Sequence, residues 1–346
     1  MQIPRRWFRG AVPRVWAAVA AGLLAGGAAG ASAPVAAIDW EKAQAVQTGV
    51  RFIALDEVVN TPVTASDEKM LGLLKKAGRL IGAADVGDGR PMKSYLFRVD
   101  LRTPGLAFTA TGRDAKWGEP MPVEANGRGK DLKIATLRER TADFLKALAD
   151  PARGGGGRRL LVGFDTGPWR PWPPPAHFYA DPAGLTISDG VVVTDHPTDR
   201  PCFVVWKDGT MDILDSPVPA VRRAEAWIAH TGFGLVLKDG EAAPPRPYEV
   251  KLMPRLALGL SKDRAYMYLL AVDGRQPGRS MGAVAADLVR LFRAAGAWDA
   301  IDFDGGGSAT LCYWDGKTSR PVTVNRTEGR RVALNVAVYV RKDREP

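Results

Sequence analysis

The sequence contains very few of the residues that bind transition metals. Its 346 residues include only two cysteines and three histidines. No Cys-x-x-Cys pair occurs, and the histidines are scattered without the spacing of metal ligands. Asp304, Asp273 and Asp165 have the oxygen ligands that a hard cation prefers, but nothing in the sequence shows the required cluster, so we predict no metal site and no cofactor. The cysteines and histidines concerned are Cys202, Cys312, His177, His196 and His230.

The two cysteines allow one disulfide, which an oxidising compartment would permit. Cys202 and Cys312 both lie in strand-like apolar runs, at residues 201–206 and 310–314. In such runs a buried free thiol is equally common. The sequence leaves these two alternatives open.

Long apolar runs are absent beyond the N-terminus. Residues 1–37 carry four arginines and no acidic residue, and residues 16–31 form an apolar run of small side chains. This pattern is typical of a signal peptide, with cleavage positions after Ala31 and Ala37, although a retained anchor is the alternative. No later stretch has the roughly 18 apolar residues that cross a bilayer. We expect an exported protein, periplasmic or extracellular, with no membrane span after signal removal.

The positive charge is modest once the signal is removed. The net charge of +10 falls to +6 on loss of residues 1–37. No run of lysine and arginine is interleaved with aromatic residues, so we predict no nucleic-acid partner. A mild excess suits a protein that meets phosphate or acidic glycans, although most of these residues fit a solvated surface equally well.

Hydrophobic periodicity and turn signals predict the fold class. Helices are expected over residues 66–81, behind a capping box formed by Thr136 and Glu139, and over residues 282–295 with Gly296 as the stop. The rest of the chain consists mainly of short strands that end in Asp-Gly or glycine turns. The sequence predicts an α+β fold of mixed or antiparallel sheets, with many hairpins and a few covering helices.

The mature chain shows a seam but no true linker. We expect residues 38–155 to form the N-terminal part of the domain, with helical insertions, and residues 156–346 to form its core. Within the core, tryptophan and proline alternate from Trp169 to Pro175. These tryptophans could stack on a sugar ring or pack against the protein's own surface. The oligomeric state is not predicted.

An apolar strand over residues 300–303 ends in Asp304, and three glycines follow it. Glycines expose consecutive N–H groups without a Cβ, so an anionic or sugar-like ligand could approach Asp304 and the hydroxyls of Ser308 and Thr310. A tight turn between two strands is the alternative.

Five blocks in fixed order give this motif a context. Upstream lie Pro254-Arg255 with Gly259, then Val-Asp273-Gly-Arg275, then Ser280-Met-Gly282; downstream of the glycines lie arginines followed by Asn335. All five fall within about a hundred residues, which is far more specific than any block alone. In this series the chain resembles the phosphodiester glycosidase family.

The resemblance implies a secreted hydrolase that cleaves the sugar–phosphate bond of a sugar-1-phosphodiester, with a glycan or such a diester as its partner. It implies Asp304 and Asp273 as the catalytic carboxylates, with retention or inversion left open. Arginine binds phosphate bidentately, so Arg255 and Arg275 are the expected phosphate ligands. The other implied substrate-binding residues are Gly305, Gly306, Gly307, Ser308, Thr310, Arg331, Asn335, Thr231 and Asp165.

Three positions depart from the family pattern. Asp165 stands where the family carries Asn, Thr327 where it carries Pro, and Arg330 where an acidic residue is common. These departures favour the alternative function, a non-catalytic protein that binds envelope glycans or exopolysaccharide. If they lie outside the cleft, the enzyme hypothesis stands. If they line it beside Asp304, either specificity has changed or catalysis has been lost.

Overall fold

The structure is a computed structural model that describes residues 36–61, 63, 65–66, 89–153, 155–315 and 320–344. Strands supply most of its regular structure. Two α-helices are described, α1 (Thr141–Ala149) and α2 (Ala285–Ala295). None of the helices in these ranges is long and apolar enough to cross a membrane.

The strands are short and numerous. The first twelve are β1 (Gln44–Gln47), β2 (Val50–Val59), β3 (Ala65–Ser66), β4 (Arg90–Asp100), β5 (Leu106–Ala110), β6 (Thr136–Leu137), β7 (Arg158–Asp165), β8 (Trp169–Arg170), β9 (Tyr179–Pro182), β10 (Leu185–Ser188), β11 (Val191–Asp195) and β12 (Cys202–Trp206). The remaining strands are β13 (Met211–Leu214), β14 (Ala226–Thr231), β15 (Gly234–Lys238), β16 (Glu241–Ala242), β17 (Lys251–Leu252), β18 (Arg255–Leu260), β19 (Tyr266–Val272), β20 (Asp299–Asp302), β21 (Leu311–Tyr313), β22 (Val322–Thr323) and β23 (Asn335–Arg341).

Three large sheets organise these strands. The order of the eight-stranded sheet is β1-β2-β4-β19-β18-β20-β15-β16, and the two five-stranded sheets run β11-β10-β14-β12-β13 and β22-β21-β7-β23-β5. A three-stranded sheet, β6-β9-β8, and the parallel pair β17-β3 complete the described set. All other strand pairings are antiparallel among the described residues, so the expectation of largely antiparallel sheets with few helices is confirmed.

One apolar core joins the three large sheets. Alternate residues of β18, Leu256, Leu258 and Leu260, enter it together with Phe203 from the first five-stranded sheet and Phe164 from the second. Strand alternation sends the intervening residues to the opposite face. Strands from both predicted parts of the chain share the large sheets: β4 and β18, for example, lie in the same eight-stranded sheet.

Helix α2 covers that opposite face. Leu288, Leu291 and Phe292 are fully buried and pack against the eight-stranded sheet. The helix ends at Gly296, which adopts the left-handed conformation (φ +93°) that glycine tolerates best. The predicted helix over residues 282–295 is confirmed, with its start at Ala285.

The predicted capping box at Thr136 and Glu139 is wrong. Thr136 lies in β6, paired with Ala180, and the Glu139 N–H donates to the Val332 carbonyl. Helix α1 begins at Thr141, five residues after Thr136. Phe144 lies on the apolar face of this helix and packs against β7. Long-range strand pairing thus overrides the local signal.

Asp-Gly turns close the predicted hairpins. Asp189-Gly190 joins β10 to β11 and Asp239-Gly240 joins β15 to β16, both with positive φ at the two residues as a type I′ turn requires. Most of the predicted helix over residues 66–81, and residues 1–35 of the predicted signal peptide, lie outside the described residues. Ser66 itself is in β3.

Both cysteines are buried free thiols. Cys202 lies in β12 and Cys312 in β21, in different sheets. Burial raises the pKa of each thiol to about 12. The sequence left open a disulfide or two buried free thiols, and the structure has the free thiols.

Candidate active site

Asp304 is placed by the end of β20. This strand lies between β18 and β15 in the eight-stranded sheet, and Phe303 anchors the chain in the core directly after it. The Asp304 N–H donates to the Thr166 carbonyl across the sheets, at 2.9 Å. The carboxylate is therefore fixed where the large sheets meet.

The surroundings of Asp304 make its carboxyl weakly acidic. Loss of water raises its pKa to about 6, although hydrogen bonding from the Ser308 hydroxyl, the charge of Arg330 and hydrogen bonding from the Trp169 indole act in the opposite direction. The residue remains partly exposed. A group of this kind is charged at neutral pH yet poised to exchange a proton, as a catalytic carboxylate must be.

Asp304 opens into a cavity of about 420 Å³. This volume lies within the range of small-molecule sites. Asp304 is the only carboxylate among its described lining residues, and aromatic side chains form much of the wall. We call this space the aromatic cavity; its lining is Pro168, Trp169, Trp172, Phe233, Tyr248, Met253, Arg275, Asp304, Gly305, Gly306 and Arg330.

Two aromatic pairs form the wall. Trp169 and Trp172 meet edge to face with 5.5 Å between ring centroids, and Phe233 stacks on Tyr248 at 4.7 Å. Trp169 is almost buried, whereas Trp172 keeps 55% of its surface exposed. Exposed aromatic faces of this kind stack well on sugar rings.

Two arginines bring positive charge to the cavity. The Arg330 guanidinium donates to the Ser308 hydroxyl at 3.1 Å and lies 4.8 Å from the ring centroid of Trp172. Arg275 reaches the cavity from a turn in which its own φ is +58°. The Glu328 carboxylate lies between them, 3.5 Å from Arg275 and 3.3 Å from Arg330. An anion that enters here meets two guanidiniums that share one carboxylate.

The three glycines permit close approach by the protein's own side chains. A Cβ on Gly305 would lie 2.4 Å from the Tyr248 hydroxyl, and one on Gly307 would lie 2.4 Å from a Glu328 oxygen. Gly306 has φ +64°, and a Cβ there would lie 3.0 Å from the Arg275 guanidinium. Any larger residue would therefore displace the charged groups of the cavity.

A second cavity of about 420 Å³ adjoins the first. The two share Arg275 and Gly306. No aromatic side chain is among the described residues that line it. We call it the polar cavity; its lining is Pro254, Gly274, Arg275, Gln276, Gly306, Arg326, Thr327 and Glu328.

A buried polar layer lies behind the glycine loop. Asp165 is fully buried; one carboxylate oxygen accepts the Thr310 N–H at 2.7 Å, and the other has no hydrogen-bond partner among the described residues. Burial, with the nearby charge of Asp304 second, holds the pKa of Asp165 well above its usual range. Asn335 faces Asp165 across the strands and accepts the Thr141 hydroxyl. Asp165, Asn335 and Thr310 line neither cavity.

The structure does not bring Asp273 to the aromatic cavity. Its side chain is fully buried, with one oxygen accepting the Arg326 N–H at 2.5 Å. The other oxygen accepts the Tyr95 hydroxyl at 3.1 Å and an Arg279 N–H at 3.3 Å. Burial raises the pKa of this carboxyl. Asp273 thus braces the loop that carries Arg326.

Arg255 does not reach either cavity. It is completely buried, forms a 3.0 Å ion pair with Asp302, and its Nε donates to the Ala283 carbonyl. Its second terminal nitrogen donates to three carbonyls of residues 248–251. The expectation that Arg255 contacts phosphate is corrected, because its donors are committed to the fold.

Other predicted ligands also lie away from the cavities. The Thr231 hydroxyl is buried and donates to the Leu185 carbonyl, and Arg331 lies over Phe178 at 4.7 Å. Ser308 is buried too, but its hydroxyl links Arg330 to the Asp304 carboxylate. The structure thus brings together Asp304, Arg275, Gly305 and Gly306, with Ser308 in support.

The sequence did not assign Arg330, Tyr248 or Phe233 to the site. In the sequence Arg330 marks only a departure from the family pattern, whereas in the structure it lines the aromatic cavity. Thr327, another departure, lines the polar cavity. Phe233 and Tyr248 carry no local signal, because their position depends on the packing of distant segments around β18. The tryptophan–proline segment was the one usable sign of an aromatic wall.

No group of three or more metal-ligating His, Cys, Asp or Glu side chains occurs in the part of the chain that the structure describes.

Comparison with known proteins identifies a family and solved structures of similar fold. No curated protein sequence matches the chain. Its structure is similar to the catalytic domain of zebrafish N-acetylglucosamine-1-phosphodiester alpha-N-acetylglucosaminidase, described as auto-inhibited by a pro-peptide. The identity is 16%, the match covers 90% of this chain and 87% of the other, and the TM-score is 0.49.

Two further structures are similar at low identity. A protein from Burkholderia pseudomallei, described as exported, is 13% identical, with 90% of this chain and 96% of the other covered and a TM-score of 0.50. A hypothetical protein from Synechocystis is 12% identical, with 73% and 60% covered and a TM-score of 0.48.

The sequence pattern of the phosphodiester glycosidase family matches residues 166–340. These residues make up half of the chain and include the whole glycine loop, Arg275, Arg330 and both pairs of wall aromatics. The chain therefore belongs to the phosphodiester glycosidase family.

Proposed function

We propose that this protein is an exported hydrolase that cleaves the bond between a sugar and phosphate in a sugar-1-phosphodiester. The observation that carries the proposal is the aromatic cavity, in which Asp304 lies with two guanidiniums and four aromatic rings, of which that of Trp172 is the most exposed. These are the groups that the reaction needs: a carboxylate for the anomeric carbon, cations for phosphate and flat apolar faces for a sugar.

Arg275 and Arg330 are the groups that bind the phosphate in this proposal. The negative charge on the phosphate grows as the sugar–oxygen bond breaks, so fixed guanidiniums stabilise the transition state more than the bound diester. Arg330 replaces the expected Arg255 in this role. The departing phosphate is already an anion of low basicity, and strong protonation by a general acid is unnecessary.

Asp304 acts at the anomeric carbon. In the overall reaction the bond from the anomeric carbon to the phosphate oxygen breaks, water supplies hydroxide to the carbon, and its remaining proton ends on the phosphomonoester or in solvent. The ionised carboxylate stabilises the oxocarbenium-like centre and serves as nucleophile or as base for water. A single carboxylate in the aromatic cavity fits a reaction that needs no second acid.

The other buried polar groups support this centre. Asp273 holds the backbone of Arg326, and Asp165 holds the Thr310 N–H behind the glycine loop. Gly305 and Gly306 leave room for Tyr248 and Arg275. Asp273 is therefore assigned as a positioning residue and not as the second catalytic carboxylate.

The second candidate function is glycan or exopolysaccharide binding without turnover. One observation favours it: Arg330, a departure from the family pattern, lines the cavity and interacts electrostatically with Asp304. An arginine at this position changes the charge that the substrate meets. A change of substrate specificity therefore explains the presence of Arg330 equally well, and we retain the enzyme as the main proposal.

The proposal is tested with a panel of sugar-1-phosphodiesters that differ in the sugar. Wild-type protein should release equal amounts of free sugar and phosphomonoester from at least one member. Asp304→Asn should lose about three orders of magnitude of this activity, whereas Lys207→Gln, at an exposed residue that lines neither the aromatic nor the polar cavity, should keep it. No turnover by the wild type, together with equal glycan binding by both proteins, would establish the binding function instead.

A further inference from the structure

We infer that the polar cavity binds the alcohol arm of the phosphodiester and selects arms that carry a second anionic group, a carboxylate or a phosphate. This inference rests on the proposed function and adds to it the chemical class of the substrate. It concerns a cavity to which the catalytic proposal gives no role.

The first step is the arrangement of the two cavities. They meet at Arg275 and Gly306, which line both. A phosphodiester has two ester arms on either side of one phosphate. A phosphate bound by Arg275 would therefore direct one arm into each cavity, and the similar volumes of about 420 Å³ give each arm its own space.

The second step is the contrast between the walls. The aromatic cavity has two tryptophans, a phenylalanine and a tyrosine, together with the catalytic carboxylate. The polar cavity has arginine, glutamine, threonine and glutamate side chains among its described lining. A sugar ring gains from stacking and must present its anomeric carbon to Asp304, so it occupies the aromatic cavity. The alcohol arm is left with a wall of hydrogen-bonding and charged groups.

The third step is the charge balance of the polar cavity. Glu328 is shared between Arg275 and Arg330. The exposed side chain of Arg326 has no carboxylate partner in the described ranges of the chain. Its backbone is nevertheless held firmly, because its N–H donates to the buried Asp273. A guanidinium on a firmly held backbone, with no carboxylate partner among the described residues, is suited to a carboxylate or phosphate at the wall of a cavity.

The test uses three diesters of one sugar whose alcohol arms are propyl, 3-carboxypropyl and 3-phosphopropyl. Wild type should have a kcat/KM about tenfold higher for at least one anionic arm than for propyl, as expected for one charged hydrogen bond. Arg326→Gln should remove that preference, so that the three arms are cleaved with similar kcat/KM. Arg326→Lys should keep most of the preference, and the two anionic arms identify which anion is selected.

A binding measurement separates this inference from the proposed function. The phosphomonoesters propyl phosphate, 3-carboxypropyl phosphate and 3-phosphopropyl phosphate are titrated calorimetrically into wild type and Arg326→Gln. Tighter binding of at least one ester with an anionic arm to wild type alone supports the inference even if no diester is cleaved, an outcome that would overturn only the catalytic proposal. Equal affinities of all three esters in wild type, or an equal loss for all three in the variant, would overturn the inference.

Discussion

Replacing Asp304 with asparagine should raise the free energy of unfolding at neutral pH, and the gain should be smaller at acid pH. The fold raises the pKa of this carboxyl from 3.8 to about 6, chiefly by removing it from water. The folded state therefore binds this proton more tightly than the unfolded chain. That contribution to stability is complete below pH 3.8 and is lost as pH rises to about 6.

The magnitude follows from the size of the shift. A difference of about two pKa units corresponds to about 3 kcal/mol, at 1.36 kcal/mol per unit. About 1 kcal/mol of this is already lost at pH 4.5, and nearly all of it at pH 7.5. Asparagine does not titrate. The stability of Asp304→Asn relative to wild type should accordingly rise by about 2 kcal/mol between these two pH values.

Urea denaturation of both proteins at pH 4.5 and 7.5 measures this difference. Asp208→Asn is the control, because hydrogen bonds from Thr210 in an exposed turn lower the pKa of Asp208 and confine its titration to pH values below this range. The stability of Asp208→Asn relative to wild type should therefore stay nearly constant between pH 4.5 and 7.5. A constant offset between wild type and Asp304→Asn at the two pH values would refute the water-poor environment that we assign to the Asp304 carboxyl.

Three further predictions follow from the site. The kcat/KM for a sugar-1-phosphodiester should rise with pH through an acid limb near pH 6, the pKa of Asp304, because the ionised carboxylate is the active form; a limb that falls there would assign an acid role instead. Trp172→Ala should raise KM severalfold to tenfold and shift Tm little, since half of this side chain is exposed; an unchanged KM would remove the stacking role. Arg255→Met should lower the free energy of unfolding, measured by urea denaturation, by about 3–5 kcal/mol, because it leaves Asp302 buried without its cation. A variant of unchanged stability and low activity would instead indicate that Arg255 contacts the substrate.

The parts of the fold that local sequence determines were predictable. Gly296 after an apolar helical face marks the end of α2, and Asp189-Gly190 marks a hairpin. The helix start proposed at Thr136 failed because Ala180, 44 positions further along, pairs with it in a sheet. Pairing between distant strands leaves no periodic trace in a single sequence.

The candidate site was predictable to a similar extent. Asp304 and its glycines form one continuous motif, so the sequence alone singles them out as candidates. Arg255, Arg275 and Arg330 are all arginines beside motif residues, and only the packing around them decides which reach the cavity. Asp302 draws Arg255 into the sheet, whereas the small Gly306 lets Arg275 lie over the loop. That distinction depends on neighbours that are distant in sequence.

The most direct test of the central claim is the fate of oxygen when a sugar-1-phosphodiester is hydrolysed in water enriched in oxygen-18. Cleavage at the anomeric carbon places the label in the released sugar at the first turnover and leaves the phosphomonoester unlabelled, and mass spectrometry of both products within the first minutes measures this. We expect the label in the sugar, with the reaction abolished in Asp304→Asn. Label in the phosphomonoester would show attack at phosphorus and would contradict the assignment of Asp304 to the anomeric carbon.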